Sequence, residues 1–264
     1  MQDAARAARN ALKQQDYNKA LPLVRMLAAK SSPEFEYDYG RLLLRGWGVK
    51  CDTKQAFALI SKSAAGSYAP AQSLLGDMYE AGEGTETSEK KALELWQCAA
   101  AHGNASAEHR LGGYYIGLGK NENFAHGLEL LKSAAKHGDG EACTELAYIY
   151  YEGKPPYLNK DPKAAVPWCE LGIKNRSGES ALLLARMYDH GEGGLPSNRA
   201  QAFLAATTFD RSPEAQAWKV RLQKKVPSKS DVDAAMNWYL AKRSTNTREQ
   251  TAEDTDMWDI LNRK

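Results

Sequence analysis

Acid–base chemistry is the first possibility that the side chains raise, because an imidazole and two carboxylates in one groove could share a proton. The candidates are His109, Asp77 and Glu80. No GxSxG elbow, Walker loop, HExxH pair or GxGxxG segment occurs in the sequence. We therefore predict that the chain is not an enzyme, and we assign no catalytic residue and no cofactor.

Metal binding is the second possibility, since the sequence contains four cysteines. Cys51, Cys98, Cys143 and Cys169 form no CxxC pair and have no histidine-rich neighbourhood, which argues against a zinc site. We predict no metal site, and we expect these cysteines to be buried as small apolar side chains.

The charge balance disfavours two classes of partner. The 264 residues carry 35 basic and 33 acidic side chains, and a net charge of +2 gives little long-range attraction to phosphate backbones. No segment approaches the roughly 18 apolar residues that suggest a membrane-spanning helix. We predict neither nucleic-acid binding nor membrane insertion. The compartment stays open, because the polar first residues show no export signal but would look the same after its removal.

A repeat of about 36 residues organises the chain, and it is visible in two independent registers. In one register a small residue is followed four positions later by a bulky apolar residue. In the other an apolar or aromatic residue directly precedes Gly or Ala. The first register comprises Ala20/Val24, Ala56/Ile60, Ala92/Trp96, Gly127/Leu131, Ala164/Trp168 and Ala200/Leu204, and the second Tyr39-Gly40, Leu75-Gly76, Leu111-Gly112, Leu146-Ala147 and Leu184-Ala185.

Each repeat is predicted to contain two amphipathic helices, A and B. In one repeat Ala71 and Met78 belong to a set with the three-and-four spacing of a single helical face. Gly82 and Gly84 are suited to end helix A, and Thr87 or Ser88 is suited to cap helix B. A lone helix pair cannot bury its own apolar face, so stability must come from stacking against neighbouring pairs.

The segment LLGDMYEAGEGTETSEKKALELWQCAAAHGNASAE at 74–108 resembles a Sel1-like repeat, with its LG-x2-Y helix, glycine loop and A-x3-W helix. Residues 40–67 and 184–206 have the same frame, whereas 11–21 are more similar to a tetratricopeptide repeat. The resemblance implies an all-α fold, a right-handed α/α solenoid of about six to seven helix-pair repeats.

Four segments are expected on this basis. A tetratricopeptide-like helix pair occupies 1–32, Sel1-like repeats occupy 33–208, and a capping helix pair occupies 209–243. A polar linker with a short C-terminal helix or tail fills 244–264. Cysteine-rich Sel1-like proteins pair two cysteines across one helix hairpin, and no such pair occurs here. We therefore expect free thiols, which slightly favours the cytoplasm over the periplasm.

Protein–protein interaction is the function that the resemblance implies, with the A helices lining a concave groove. Transferring the inward-facing A-helix positions onto this sequence predicts a partner-binding face that is not part of the core. Its residues are Tyr37, Arg41, Arg45, Ser73, Asp77, Glu80, His109, Tyr148, Tyr151, Arg186 and Asp189. Tyr and Arg are common anchors at interfaces because they combine contact area with directional polar groups.

The aromatic run at 148–151, with Tyr157 nearby, has two interpretations. One helix cannot bury so many tyrosines behind a single seam, so at least one is expected outside, where it could form a recognition patch with Arg186 and Asp189. Alternatively, the tyrosines cover the long loop that begins KPPY.

Three functions follow from the resemblance as competing hypotheses. The first is an adaptor or inhibitor that binds one protein, such as an immunity protein for a cognate toxin. The second is a scaffold in envelope signalling or virulence that binds several partners. The third and weakest is an enzyme that acts on cell-wall fragments or β-lactams.

Overall fold

The computed structural model describes residues 2–195, and its regular elements within that range are α-helices. They are α1 (Gln2–Lys13), α2 (Tyr17–Ala28), α3 (Pro33–Arg45), α4 (Thr53–Ala65), α5 (Ala69–Ala81), α6 (Glu89–Ala101), α7 (Ala105–Gly117), α8 (Asn121–Lys136), α9 (Gly140–Glu152), α10 (Pro162–Lys174) and α11 (Gly178–His190). The predicted capping pair at 209–243 and the segment 244–264 lie outside the described residues.

The helix ends follow the local sequence. Ser88 is the N-cap of α6, and its side chain accepts a hydrogen bond from the backbone N–H of Lys91, as the sequence predicts for this position. Asp52 and Asp161 cap α4 and α10 in the same way. Helix α5 ends at Gly82 in the left-handed region, at φ 71°, which glycine adopts without a steric penalty.

Two compact units divide the chain, at Met1–His137 and Gly138–Lys264. In the first unit, glycines on the A helices let the following B helices approach closely. A Cβ atom added at Gly76 would lie 2.5 Å from Nε1 of Trp96, and one added at Gly112 would lie 2.8 Å from the Leu131 side chain. A Cβ atom added at Gly127 on α8 would lie 2.6 Å from the backbone oxygen of Gly112 on α7, so the two helices leave no room for a side chain at Gly127.

Polar residues recur at intervals of 36 along the A helices: Glu36, Gln72, Glu108, Thr144 and Ser180. Four of them are buried, and Gln72 is half-buried with its Oε1 atom enclosed. In the first unit, the Glu36 carboxylate lies 2.7 Å from Nζ of Lys62. The Glu108 carboxylate accepts a 2.9 Å hydrogen bond from Ser133 and contacts His137 at 2.8 Å. These pairs join α3 to α4 and α7 to α8, and the apolar periodicity did not predict them.

The second unit has its described core between α9, α10 and α11. Cys169, Leu184 and Met187 are fully buried there. Thr144 and Ser180 are both buried and share a hydrogen bond of 2.8 Å, so the polar series continues in this unit.

All four cysteines carry free thiols, as predicted, but the prediction that all four are buried is wrong. Cys143 and Cys169 are buried, whereas Cys51 and Cys98 are exposed. Cys98 lies two residues after the buried Trp96, which turns it to the opposite side of α6. Cys51 precedes the N-cap of α4 and so lies in a surface loop.

Candidate functional site

Helix α3 presents three of the predicted binding residues, Tyr37, Arg41 and Arg45, at successive intervals of four. This spacing places them on one face of the helix, one turn apart. All three line a cavity of about 460 Å³, to which Leu44, Trp47 and Leu74 also contribute. The structure therefore brings this part of the predicted face together around one depression of the first unit.

Two aromatic rings hold the Arg41 side chain. Its guanidinium carbon lies 5.4 Å from the centroid of the Tyr37 ring and 5.7 Å from that of Trp47. Trp47 in turn stacks on Tyr17 with a centroid distance of 5.0 Å and an interplanar angle of 10°. Cation–π contacts of this kind fix the plane of the guanidinium while leaving its N–H edges available to a ligand.

The two arginines of the cavity are not tied up in ion pairs inside the protein. Within residues 2–195, neither Arg41 nor Arg45 forms an ion pair, and Arg45 is exposed. Asp38, which follows Tyr37 on α3, is an acidic group close enough to interact electrostatically with Arg41. Burial raises the pKa of Asp38 to about 6, and Arg41 opposes that rise. Burial also raises the pKa of Tyr37.

Asp77 on α5 is engaged inside the protein. Its Oδ1 atom accepts a hydrogen bond of 3.1 Å from the Trp96 indole and lies 3.1 Å from Nε of Arg110. Burial raises the pKa of Asp77, and Arg110 opposes the shift. Glu80, one turn further along, is exposed.

Ser73 corrects the predicted binding face. Its relative exposure is 4%, so this side chain belongs to the core and cannot contact a partner directly. Helix α5 packs against both α4 and α6, which leaves only a narrow stripe of it at the surface. His109 on α7 is half-buried. One turn after His109, a Cβ atom at Gly113 would meet no atom within 4 Å, so the surface is open at that point.

In the second unit, two residues of the predicted patch, Tyr148 and Arg186, are accessible at the surface. Tyr148 is half-buried and Arg186 is exposed. Burial raises the pKa of the Tyr148 phenol, and the positive charge of Arg186 opposes that shift, so the two groups lie within electrostatic range. Asp189 is half-buried on the same helix as Arg186.

Tyr151 is a second correction, because only 9% of it is exposed. Its hydroxyl donates a 2.6 Å hydrogen bond to Glu192, and Nζ of Lys160 lies 5.0 Å from its ring centroid. Burial and the Glu192 contact raise the pKa of Tyr151 to about 12. Because Lys160 belongs to the long loop after α9, Tyr151 fits the interpretation in which a tyrosine covers that loop.

Trp47 and Leu74 line the cavity but were absent from the predicted face. Trp47 lies in the glycine loop after α3, where helical periodicity gives no information on side-chain direction. The sequence signal that could have identified it is its place between Gly46 and Gly48, both at positive φ, which marks a tight turn back over the helix.

A search of the described helices finds none that is long and apolar enough to cross a membrane. Over residues 2–195, no group of three or more His, Cys, Asp or Glu side chains is arranged to hold a metal ion.

Comparison with known families gives one consistent match. The model of the Sel1 repeat matches five consecutive segments, 33–68, 69–104, 105–139, 140–176 and 178–204. Among curated proteins, the uncharacterized protein NMB1327 of Neisseria meningitidis is 28% identical over 171 residues, which is 64% of this chain and 35% of that protein. Chitin synthase regulator SKT5 of Saccharomyces cerevisiae is 29% identical over 191 residues, 68% of this chain and 27% of the regulator. The chain thus spans about a third or less of the length of these relatives.

Solved structures agree on the architecture. A Sel1 repeat protein from Oxalobacter formigenes superposes with a TM-score of 0.70 at 23% identity, covering 90% of this chain and 98% of the other. The protective antigen c5321 of uropathogenic Escherichia coli gives 0.68 at 22% identity, with 89% and 53% covered. Immunity protein Pa5087 from Pseudomonas aeruginosa gives 0.58 at 18% identity, with 91% and 82% covered. At these identities the likeness establishes the fold, and the predicted all-α repeat solenoid is confirmed.

Proposed function

Because this chain belongs to the Sel1 repeat family, whose helical repeats are protein–protein interaction modules, we propose that it binds one protein partner through the exposed faces of its A helices. The observation that supports this most directly is the cavity beside α3, where Arg41 and Arg45 lie next to Tyr37 and Trp47. These residue types dominate binding energy at protein interfaces, and here they surround a depression rather than standing apart.

The A-helix face of the second unit supports the same proposal. Tyr148 on α9 is half-buried, so part of its side chain is accessible. Arg186, on the A helix of the next repeat, is exposed and lies within electrostatic range of Tyr148. Tyrosine gives a large contact area at a low cost in side-chain entropy, and arginine adds directional donors. Each unit therefore offers a Tyr–Arg pair to a partner.

The specific role that we favour is that of an immunity or inhibitor protein for a toxin. The fold similarity to immunity protein Pa5087 is what motivates this assignment, since that protein is of comparable length and 82% of it is covered. A rigid helical array can bind an enzyme over a wide surface and block its active site without any chemistry of its own.

The experiment that tests this role is co-expression with the products of the neighbouring genes. We expect one product that arrests growth when expressed alone and is neutralised by this chain, with a one-to-one complex in size-exclusion chromatography with light scattering. The Arg41→Gln variant should protect less well, and Arg25→Gln, on the exposed surface of α2, should protect like the wild type. A chain that stays monomeric beside every neighbouring product would contradict the immunity role.

A regulatory scaffold is the second candidate, and the relatives named as chitin synthase regulators favour it. The two candidates differ in the number of partners. Quantitative affinity purification should return several substoichiometric proteins for a scaffold and a single stoichiometric protein for an inhibitor. The weaker enzyme hypothesis predicts consumption of a β-lactam or cell-wall fragment by the purified chain, and intact substrate after prolonged incubation would dismiss it.

A further inference from the structure

The cavity beside α3 combines two features that define the chemistry of its ligand. Arg41 and Arg45 lie one helical turn apart, and their Cβ atoms are about 6 Å from one another by ideal helix geometry. Trp47 and Leu74 form an apolar part of the wall. A ligand that fits must therefore carry an acceptor for guanidinium N–H groups together with apolar atoms.

We propose that this cavity binds an acidic side chain, Asp or Glu, of the protein partner, with its carboxylate between Arg41 and Arg45 and the adjoining apolar atoms against Trp47 and Leu74. This inference rests on the proposed function, because it specifies how the partner is held. A guanidinium pairs with a carboxylate through two parallel hydrogen bonds, and a fixed guanidinium loses less entropy when they form.

The positions of the aromatic rings support this occupant. Tyr37 and Trp47 contact Arg41 at 5.4 and 5.7 Å, so the guanidinium is already oriented before a ligand arrives. Within the described range neither Arg41 nor Arg45 forms an ion pair, so an incoming carboxylate displaces no internal one.

Two acidic groups lie near the cavity. Asp38 follows Tyr37 directly on α3, and the charge of Asp77 also reaches the Tyr37 phenol. These groups reduce the positive potential around the cavity. An unmodified protein partner supplies carboxylates through its Asp and Glu side chains, so a carboxylate is the proposed occupant. A phosphate monoester, with about two negative charges at neutral pH, is the alternative in the test.

The test uses three pools of fluorescein-labelled, amidated heptapeptides with randomised flanks and a fixed central Glu, Gln or phosphoserine. Binding to the full chain is measured by fluorescence polarisation. We expect the Glu pool to bind about tenfold more tightly than the Gln pool, since two charge-assisted hydrogen bonds distinguish them. Equal binding of the Glu and Gln pools would overturn the inference, and so would preference for the phosphoserine pool.

Three variants locate the binding. Arg41→Gln and Arg45→Gln should each abolish the preference for Glu, whereas Arg25→Gln should keep it. Arg41→Lys retains the charge but not the planar fork, and we expect it to bind the Glu pool about tenfold more weakly than the wild type. Far-UV circular dichroism and urea unfolding serve as the controls that each variant is folded. A preference for Glu that survives both glutamine substitutions would place the acidic site elsewhere and contradict the proposal.

Failure of this inference and failure of the proposed function are separable. If a stoichiometric partner forms equally well with wild type and with the Arg41→Gln/Arg45→Gln double variant, the acidic anchor is wrong while the binding function stands. If no partner forms a complex at all, the proposed function itself is wrong, whichever pool binds.

Discussion

The indole Nε1 of Trp96 donates a hydrogen bond of 3.1 Å to Oδ1 of Asp77, and this bond ties a residue of the predicted binding face into the packing of α5 on α6. Trp96 is only 3% exposed, so its N–H group has little access to water. Asp77 therefore accepts a hydrogen bond from a buried donor and also forms an ion pair with the exposed Arg110. Its main role is structural, and its substitution should affect stability before it affects binding.

Asp77→Ala should lower the free energy of unfolding by about 1–3 kcal/mol, because it leaves the Trp96 donor without a partner. Asp77→Asn keeps an acceptor oxygen and should lose less. The control is Glu80→Ala, on an exposed position of the same helix, which should change stability by no more than about 0.5 kcal/mol. Urea unfolding followed by tryptophan fluorescence measures all three. Equal losses for Asp77→Ala and Glu80→Ala would contradict the structural role.

The close packing of α7 on α8 gives a second prediction with an internal control. A Cβ atom at Gly127 would lie 2.6 Å from the Gly112 carbonyl oxygen, and a backbone atom cannot move aside cheaply. Gly127→Ala should therefore destabilise the first unit by roughly 1–3 kcal/mol. Gly113→Ala, in the interior of α7 with open space around it, should instead stabilise by about 0.5–1 kcal/mol. Both changes add one methyl group, but only the methyl group at Gly127 meets a backbone atom. The midpoint of thermal unfolding should therefore fall for Gly127→Ala and rise for Gly113→Ala.

Asp38 makes a contribution of definite sign to the pH dependence of the first unit. Its pKa in the folded state is about 6, above the ordinary value of 3.8, because burial disfavours the charged carboxylate. Between these two values Asp38 binds more protons in the folded state than in the unfolded state, so its contribution to stability falls as the pH rises through that window. A shift of this size corresponds to at most about 3 kcal/mol, and partial exposure of Asp38 reduces the effect to roughly 1 kcal/mol.

Asp38→Asn should remove this slope and raise stability at neutral pH by about 1 kcal/mol. Urea midpoints across the same window measure the change. Glu86→Gln, in the exposed loop before α6, is the control and should leave the slope in place. A variant with the wild-type slope would show that Asp38 does not dominate the titration.

The sequence predicted the repeat and the helix pairs, and its errors in which side chains reach the surface have physical reasons. Apolar and small-residue periodicity specifies which face of each helix is buried, and α3 follows it. Ser73 departs from it because α5 packs on both sides, so a polar residue on the predicted outer stripe is still enclosed. Trp47 lies in a loop, where periodicity carries no information. The acidic partner of the Trp96 indole could not be predicted from the sequence, since no pattern links positions 77 and 96.

Tyr148 and Tyr151 should respond differently to substitution. Tyr151→Ala removes a buried ring and its hydrogen bond to Glu192, which should cost about 3–5 kcal/mol and unfold part of the second unit. Tyr148→Ala should cost less stability, because the ring is half-buried, and should weaken the partner complex. Tyr151→Phe keeps the ring and should leave partner binding intact. Isothermal titration with the identified partner, beside thermal unfolding of each variant, separates the two effects.

The four cysteines provide a test of the fold in both units at once. Cys51 and Cys98 are exposed, whereas Cys143 and Cys169 are buried. Burial raises the pKa of Cys143 to about 11 and that of Cys169 to about 12, so almost no reactive thiolate forms there at neutral pH. The chromogenic disulfide reagent DTNB should therefore modify two thiols quickly in the native protein and all four in denaturant. Cys51→Ser and Cys98→Ser should each remove one fast thiol without altering the slow pair. Fast labelling of four thiols in the native state would contradict the packing of α9 on α10.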